Sequence, residues 1–170
     1  ADALSTSFTE TAFEGEVGDT YGLGAIIITG DLDLDANITS ATSLSVSADT
    51  NLAADVTTSG TQTYGDDAAS DATVTDGSRT LQGSTVNFAS TVTGTTAESD
   101  DLTITGALNL DGAITDINDL YVSGTSDIGA NITTTGTQEY NNNVTLSGAA
   151  RTLTTSGATV TFTGTVNGGQ

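Results

Sequence analysis

Cysteine, methionine, tryptophan, histidine, proline and lysine are all absent from this 170-residue chain, and its only cations are Arg79 and Arg151. Without cysteine there is no disulfide framework and no thiolate metal site. Acid–base chemistry would fall to carboxylates, tyrosines and the two arginines. Those acids sit in turns and regular alternating stretches, with no long loop to build a cleft, so the chain reads as a non-enzyme. The clustered basic residues that phosphate binding requires are missing, which argues against nucleic acid and against an anionic membrane surface. Long apolar runs are missing too: "AIII" at 25–28 is the longest aliphatic stretch, far short of a membrane span. The opening ADALSTSFTE has no basic n-region, as expected of a mature or excised fragment.

Acid and alternation are what the chain does have. Twenty-two Asp and Glu give a formal net charge of −20. Such acidity with few aromatics can mark disorder. Here, however, 35% of residues are hydrophobic, and they alternate with Thr and Ser in stretches such as "LTITG" and "DLDLD". Strict alternation is the mark of a strand with one buried face. Gly, Asn, Asp and Ser punctuate the stretches as turns require. Weak helix formers and the lack of a 3.6-residue stripe argue against helices.

The chain is internally duplicated. "TTSGTQTY" (57–64) returns as "TTTGTQEY" (133–140), a shift of 76, and "ITGDLDLDANIT" (28–39) falls on "ITGALNLDGAIT" (104–115) at the same shift. The shift then becomes 72 at the two "RTL" triplets (79–81 and 151–153) and 74 where "VNFASTVTG" meets "VTFTGTVNG". The two copies span 23–94 and 99–168. Within each copy Ile28, Val46 and Tyr64 are 18 apart, as are Ile104, Val122 and Tyr140. Short strands, three to a turn, at a period near ~18–20 residues predict an all-β, single-stranded parallel β-helix of about nine coils forming one solenoid over 1–170. One structural ladder is expected to run through Ile28, Val46, Tyr64, Phe88, Ile104, Val122, Tyr140, Phe162 and Phe8. Counting on from Gln170 to Ala1, Phe162 and Phe8 are 16 apart, as are Phe88 and Ile104. Residues 1–22 therefore read as an additional coil in phase with the C-terminus.

"TTTGTQEYNNNVTLSGAARTLTTSGATVTFTGTVNGG" resembles the repeats of large secreted bacterial β-helix proteins, the filamentous-haemagglutinin-like two-partner secretion exoproteins and related autotransporter surface repeats. The resemblance covers nearly the whole chain. It implies a right-handed shaft, an extracellular or cell-surface location, and a role in fibres, surface layers or adhesion. Two functions stay open on this basis. One is a structural shaft whose partner is itself, as a head-to-tail polymer or as tandem neighbours. The other is an adhesin or binding module for sugar, a host surface or ice.

Several residues are candidates for more specific roles. Asp31, Asp49 and Asp67 are expected to stack as a column of carboxylates, either holding Ca²⁺ through oxygen ligands or forming a solvated face that keeps fibres apart. Arg79 and Arg151 occupy matching positions of the duplication and are expected to make salt bridges, local or between subunits. The aromatic positions read as an internal ladder, with a sugar platform as the rival. Thr-x-Thr pairs recur at Thr61/Thr63, Thr91/Thr93, Thr103/Thr105 and Thr161/Thr163. Their positions drift from coil to coil, so an ice-binding grid competes with ordinary outward strand threonines. Asn37, Asn131 and Asn143 open N-x-T sequons.

Overall fold

A computed structural model describes residues 2–66 and 69–168; Asp67 therefore lies outside the described residues. The described chain is all β and is a parallel β-solenoid. No helix among these residues is long and apolar enough to cross a membrane. Alternating sequence is translated directly into alternating burial. In Leu23–Leu34, for example, Ile26, Ile28, Leu32 and Leu34 are buried while Ile27 and Asp33 face outward. Each coil presents three short faces, and every strand pairs in parallel with the strand one coil away.

Rungs can be counted along the first face. Thr6, Ile28, Val46, Tyr64, Phe88, Leu110, Ile128, Leu146 and Gly168 pair in succession, which makes eight turns between nine rungs. The expected nine coils are thus about eight. The period of 18 holds only for the tightest turns, such as Ile28 to Val46. Others are longer because loops are inserted at corners, as between Tyr64 and its partner Phe88.

Two further faces complete the coil. On the second, Phe13, Leu34, Leu52 and Val74 follow one another, and the face continues through Val92, Ile114, Ile132 and Leu153. On the third, Ile38, Val56, Leu81, Ile104, Val122, Tyr140 and Phe162 follow one another. The inward residues of all three faces form one continuous core.

Corners decide where the chain can bend. Gly30 and its duplicate Gly106 both adopt positive φ, at 124° and 142°, conformations that side chains avoid. A Cβ on either would also collide with a backbone carbonyl of the preceding coil, that of Phe8 or of Gly83.

Candidate functional site

In a solenoid the functional elements are its ladders, its corners and its ends. The structure corrects the single expected ladder. Ile28, Val46, Tyr64 and Phe88 do share one column, but that column continues into Leu110, not Ile104. Ile104, Val122, Tyr140 and Phe162 form a separate column on the third face, below Ile38, Val56 and Leu81. The physical reason is a count of steps around the coil. From Ile28 to Ile104 the chain takes eleven steps from face to face, several strands spanning two faces, and eleven is not a multiple of three. Each copy is therefore turned back by one face relative to the one before it. Phe8 belongs to neither column. A register shift between Ser7 and Glu10 turns it outward, 68% exposed, and Phe13 occupies the aromatic position of the first coil.

The duplicated octet encodes a buried polar corner. Thr58 Oγ1 donates to the Gly60 carbonyl at 2.9 Å, closing a tight turn. Gln62, fully buried, donates from Nε2 to the Gln82 carbonyl (2.7 Å) and the Val56 carbonyl (3.2 Å), and lies 3.3 Å from Thr58 Oγ1. Its Oε1 accepts the Tyr64 hydroxyl at 2.9 Å. The second copy repeats this with Thr134, Gly136, Gln138 and Tyr140, again one face back. Each tyrosine stacks on the phenylalanine of the next rung, Tyr64 on Phe88 at 5.3 Å and Tyr140 on Phe162 at 5.2 Å. Burial pushes both phenols well above the usual tyrosine range. The aromatics are thus core residues, and the octet is repeated because the corner is.

Acidic residues do follow one another up one edge of the solenoid. Glu10, Asp31, Asp49 and Asp71 occupy successive rungs. Asp31 Oδ1 accepts the Asp49 amide at 3.2 Å, and Asp49 Oδ1 accepts the Asp71 amide at 2.9 Å. These carboxylates thus satisfy backbone donors of the following coil. The same bond recurs from Asn37 to the Asp55 amide, Asp55 to Thr80, Asn131 to Thr152 and Asn143 to Thr165. The three sequon asparagines therefore serve as rung caps. No group of three or more acids among the described residues is arranged to hold a metal ion.

Arg79 and Arg151 bind carbonyls. Arg79 donates to Leu52, Ser78 and Thr75 carbonyls at 3.2, 2.8 and 2.6 Å, and Arg151 Nε donates to the Ser147 carbonyl at 2.9 Å. Within the chain, among the described residues, this tethering of loops stands where local salt bridges were expected. The threonine pairs fall on three different faces and make no common grid: Thr61/Thr63 on the first, Thr91/Thr93 on the second, Thr103/Thr105 on the third.

Sequence reasoning missed one buried carboxylate. Asp100, 1% exposed, accepts from the Gly77 amide (3.0 Å), Thr95 Oγ1 (3.0 Å) and the Thr96 amide (2.6 Å). It locks the loop before Leu102. Only its place in a Thr-Thr-Ala-Glu-Ser-Asp loop could have signalled this, since Thr and Asp pair readily in turns.

Among the described residues no strand packs over the coil of Leu153, Phe162 and Val166. Phe162 and Val166 are 36% and 46% exposed, whereas Phe88 and Val92, their duplicates, are fully buried beneath the strands that follow. The chain matches no protein-family model, and no curated protein or solved structure matches it either.

Proposed function

We propose that the chain is a structural β-helical shaft of an extracellular fibre or surface assembly, with units stacking end to end along the solenoid axis as separate subunits or as tandem neighbours. The supporting observation is the contrast between equivalent coils. Phe88 and Val92 are sealed, while Phe162 and Val166 stand open with Leu153 and Val160 only partly covered. An open coil exposes apolar side chains together with a row of unpaired backbone groups, which another parallel strand would satisfy. The flanks carry the acid, and like charge there opposes sideways clumping while leaving axial growth unhindered. The likeness to secreted bacterial β-helix repeats supports the same role and location. No residue is assigned a catalytic part in this reading.

Electron microscopy of the purified chain over a range of concentrations tests it. Thin filaments of uniform width, with an axial repeat of ~35–40 Å from seven to eight coils at the strand spacing, are expected. Short rods that never join at any concentration would overturn it. The rival reading, a binding module, has one observation on its side: a groove of mixed lining, with Ser40, Thr42, Thr57 and Gln82 beside Leu23 and Ala41. Retention of the chain on immobilised neutral polysaccharide, without filaments, would favour that reading.

A further inference from the structure

Three coils of this chain are versions of one coil. Each carries an F-x-x-x-V spelling: Phe13 to Val17, Phe88 to Val92, and Phe162 to Val166. Their pairings agree. The first sets Thr6 against Ile28, Phe13 against Leu34 and Val17 against Ile38. The second sets Leu81 against Ile104, Phe88 against Leu110 and Val92 against Ile114. Ile104, Leu110 and Ile114 are the duplicates of Ile28, Leu34 and Ile38. The first two coils of this type are thus each followed by an "ITG-x-L-x-LD-x-x-IT" segment. The third version (Leu153, Phe162, Val166) has no such strand beyond it among the described residues.

Resting on the end-to-end reading, we infer that two copies join by exchanging this coil: Leu153, Phe162 and Val166 of one copy replace Thr6, Phe13 and Val17 against Ile28, Leu34 and Ile38 of the next. The junction then reproduces the one already inside the chain. The resident coil is also the poorer match. It offers Thr6 where the other two offer Leu81 and Leu153. It places Glu10 directly opposite Asp31, where the internal junction has Thr85 opposite Ala107. Like charges on neighbouring rungs repel, and the incoming coil brings Thr159 to that position instead. Both junctions carry the same one-residue shift, at Ser7 to Glu10 and at Gln82 to Thr85, but the resident coil places an exposed phenylalanine, Phe8, where the internal one has Gly83. Plain stacking would set two F-x-x-x-V coils against each other, a pairing absent from the described residues. Replacement of a strand by its equivalent from a neighbour is a low-cost route to assembly.

Exchange also sets the repeat of the fibre. Thr6 to Leu153 is twenty-two steps from face to face, seven and one-third turns. Each copy would advance ~35 Å and turn by one face, whereas plain stacking, one coil longer, advances ~40 Å.

The cysteine-free chain allows a direct test with full-length variants carrying one cysteine each. Exchange puts Thr161 of one copy opposite Asp33 of the next, as Asn87 lies opposite Asn109. Plain stacking puts Thr161 beside Ala12 instead. Thr161→Cys is mixed under mild oxidation with Asp33→Cys or with Ala12→Cys, and hetero-disulfides are read by mass spectrometry alongside electron microscopy. The 161–33 link is expected, forming several-fold faster when Phe13→Asp loosens the resident coil of the Asp33→Cys partner. Filaments with the 161–12 link, or with neither, would overturn exchange and leave end-to-end stacking standing. No filaments and no link, with or without Phe13→Asp, would overturn both.

Discussion

Tyr64→Phe removes one oxygen from the middle of the core and nothing else. That hydroxyl donates to Gln62 Oε1 at 2.9 Å, and both side chains are fully buried. The ring itself is unaffected, because Phe88 stacks on it at 5.3 Å whichever residue stands there. Gln62 is then left with a buried acceptor that has lost its donor, which costs about 1–3 kcal/mol. Gln62→Val alone should cost as much or more, since it also strips the Val56 and Gln82 carbonyls of the amide that serves them. The double variant recreates the Val86/Phe88 pair that occupies the same positions on the next rung. It removes donor and acceptor together, so it should cost less than the sum of the singles, with a coupling of about 1 kcal/mol or more. Urea unfolding followed by far-ultraviolet circular dichroism, repeated for all four members of the cycle, gives these quantities. Single variants within about 0.5 kcal/mol of the parent, with additive effects, would refute the claim that this corner is held by its polar network.

Burial raises the Tyr64 and Tyr140 phenols, so their contribution to stability is fully present below the unfolded-state value of about 10 and is lost as pH rises above it. Stability should fall by about 1.4 kcal/mol per pH unit for each tyrosine there, and Tyr64→Phe should halve that slope in alkaline denaturation. Thr50 and its duplicate Ser126 bury hydroxyls with no hydrogen-bond partner among the described residues; Thr50→Val should raise the unfolding midpoint by about 0.5–1.5 kcal/mol equivalent, read by the same urea titration. Asp100→Ala should cost about 2–4 kcal/mol by stranding the Gly77 and Thr96 amides, with hydrogen exchange quickening first around 95–101. Gly106→Ala combines a positive φ with a collision against the Gly83 carbonyl, and should cost at least about 2 kcal/mol, more than the same change at Gly77, which shares the positive φ but has open space around it.

Much of this solenoid is written in single residues and their spacing. Alternation such as "LDLDA" or "TVTF" makes strands with one apolar edge, and only stacking in parallel can bury three such edges per coil. The duplication, the corner octet and the matched arginines are legible for the same reason: a unit that stacks on its own copy must reuse its corners. What spacing alone could not supply was the face on which each strand lands. That depends on counting steps from face to face, and the turns vary in length because loops such as 95–101 enter at corners without adding a face. Eleven face-to-face steps wound on three faces displace every copy by one face, so Tyr64 and Tyr140, closely matched in their local sequence, stand in different columns. Corner length and bulges add to this: Asp71, after a longer corner, caps onto Asp49, and a register shift turns Phe8 outward and leaves Phe13 inside. Only the folded chain performs that count, because register is chosen by which apolar side chains meet across the core and not by how many residues separate them.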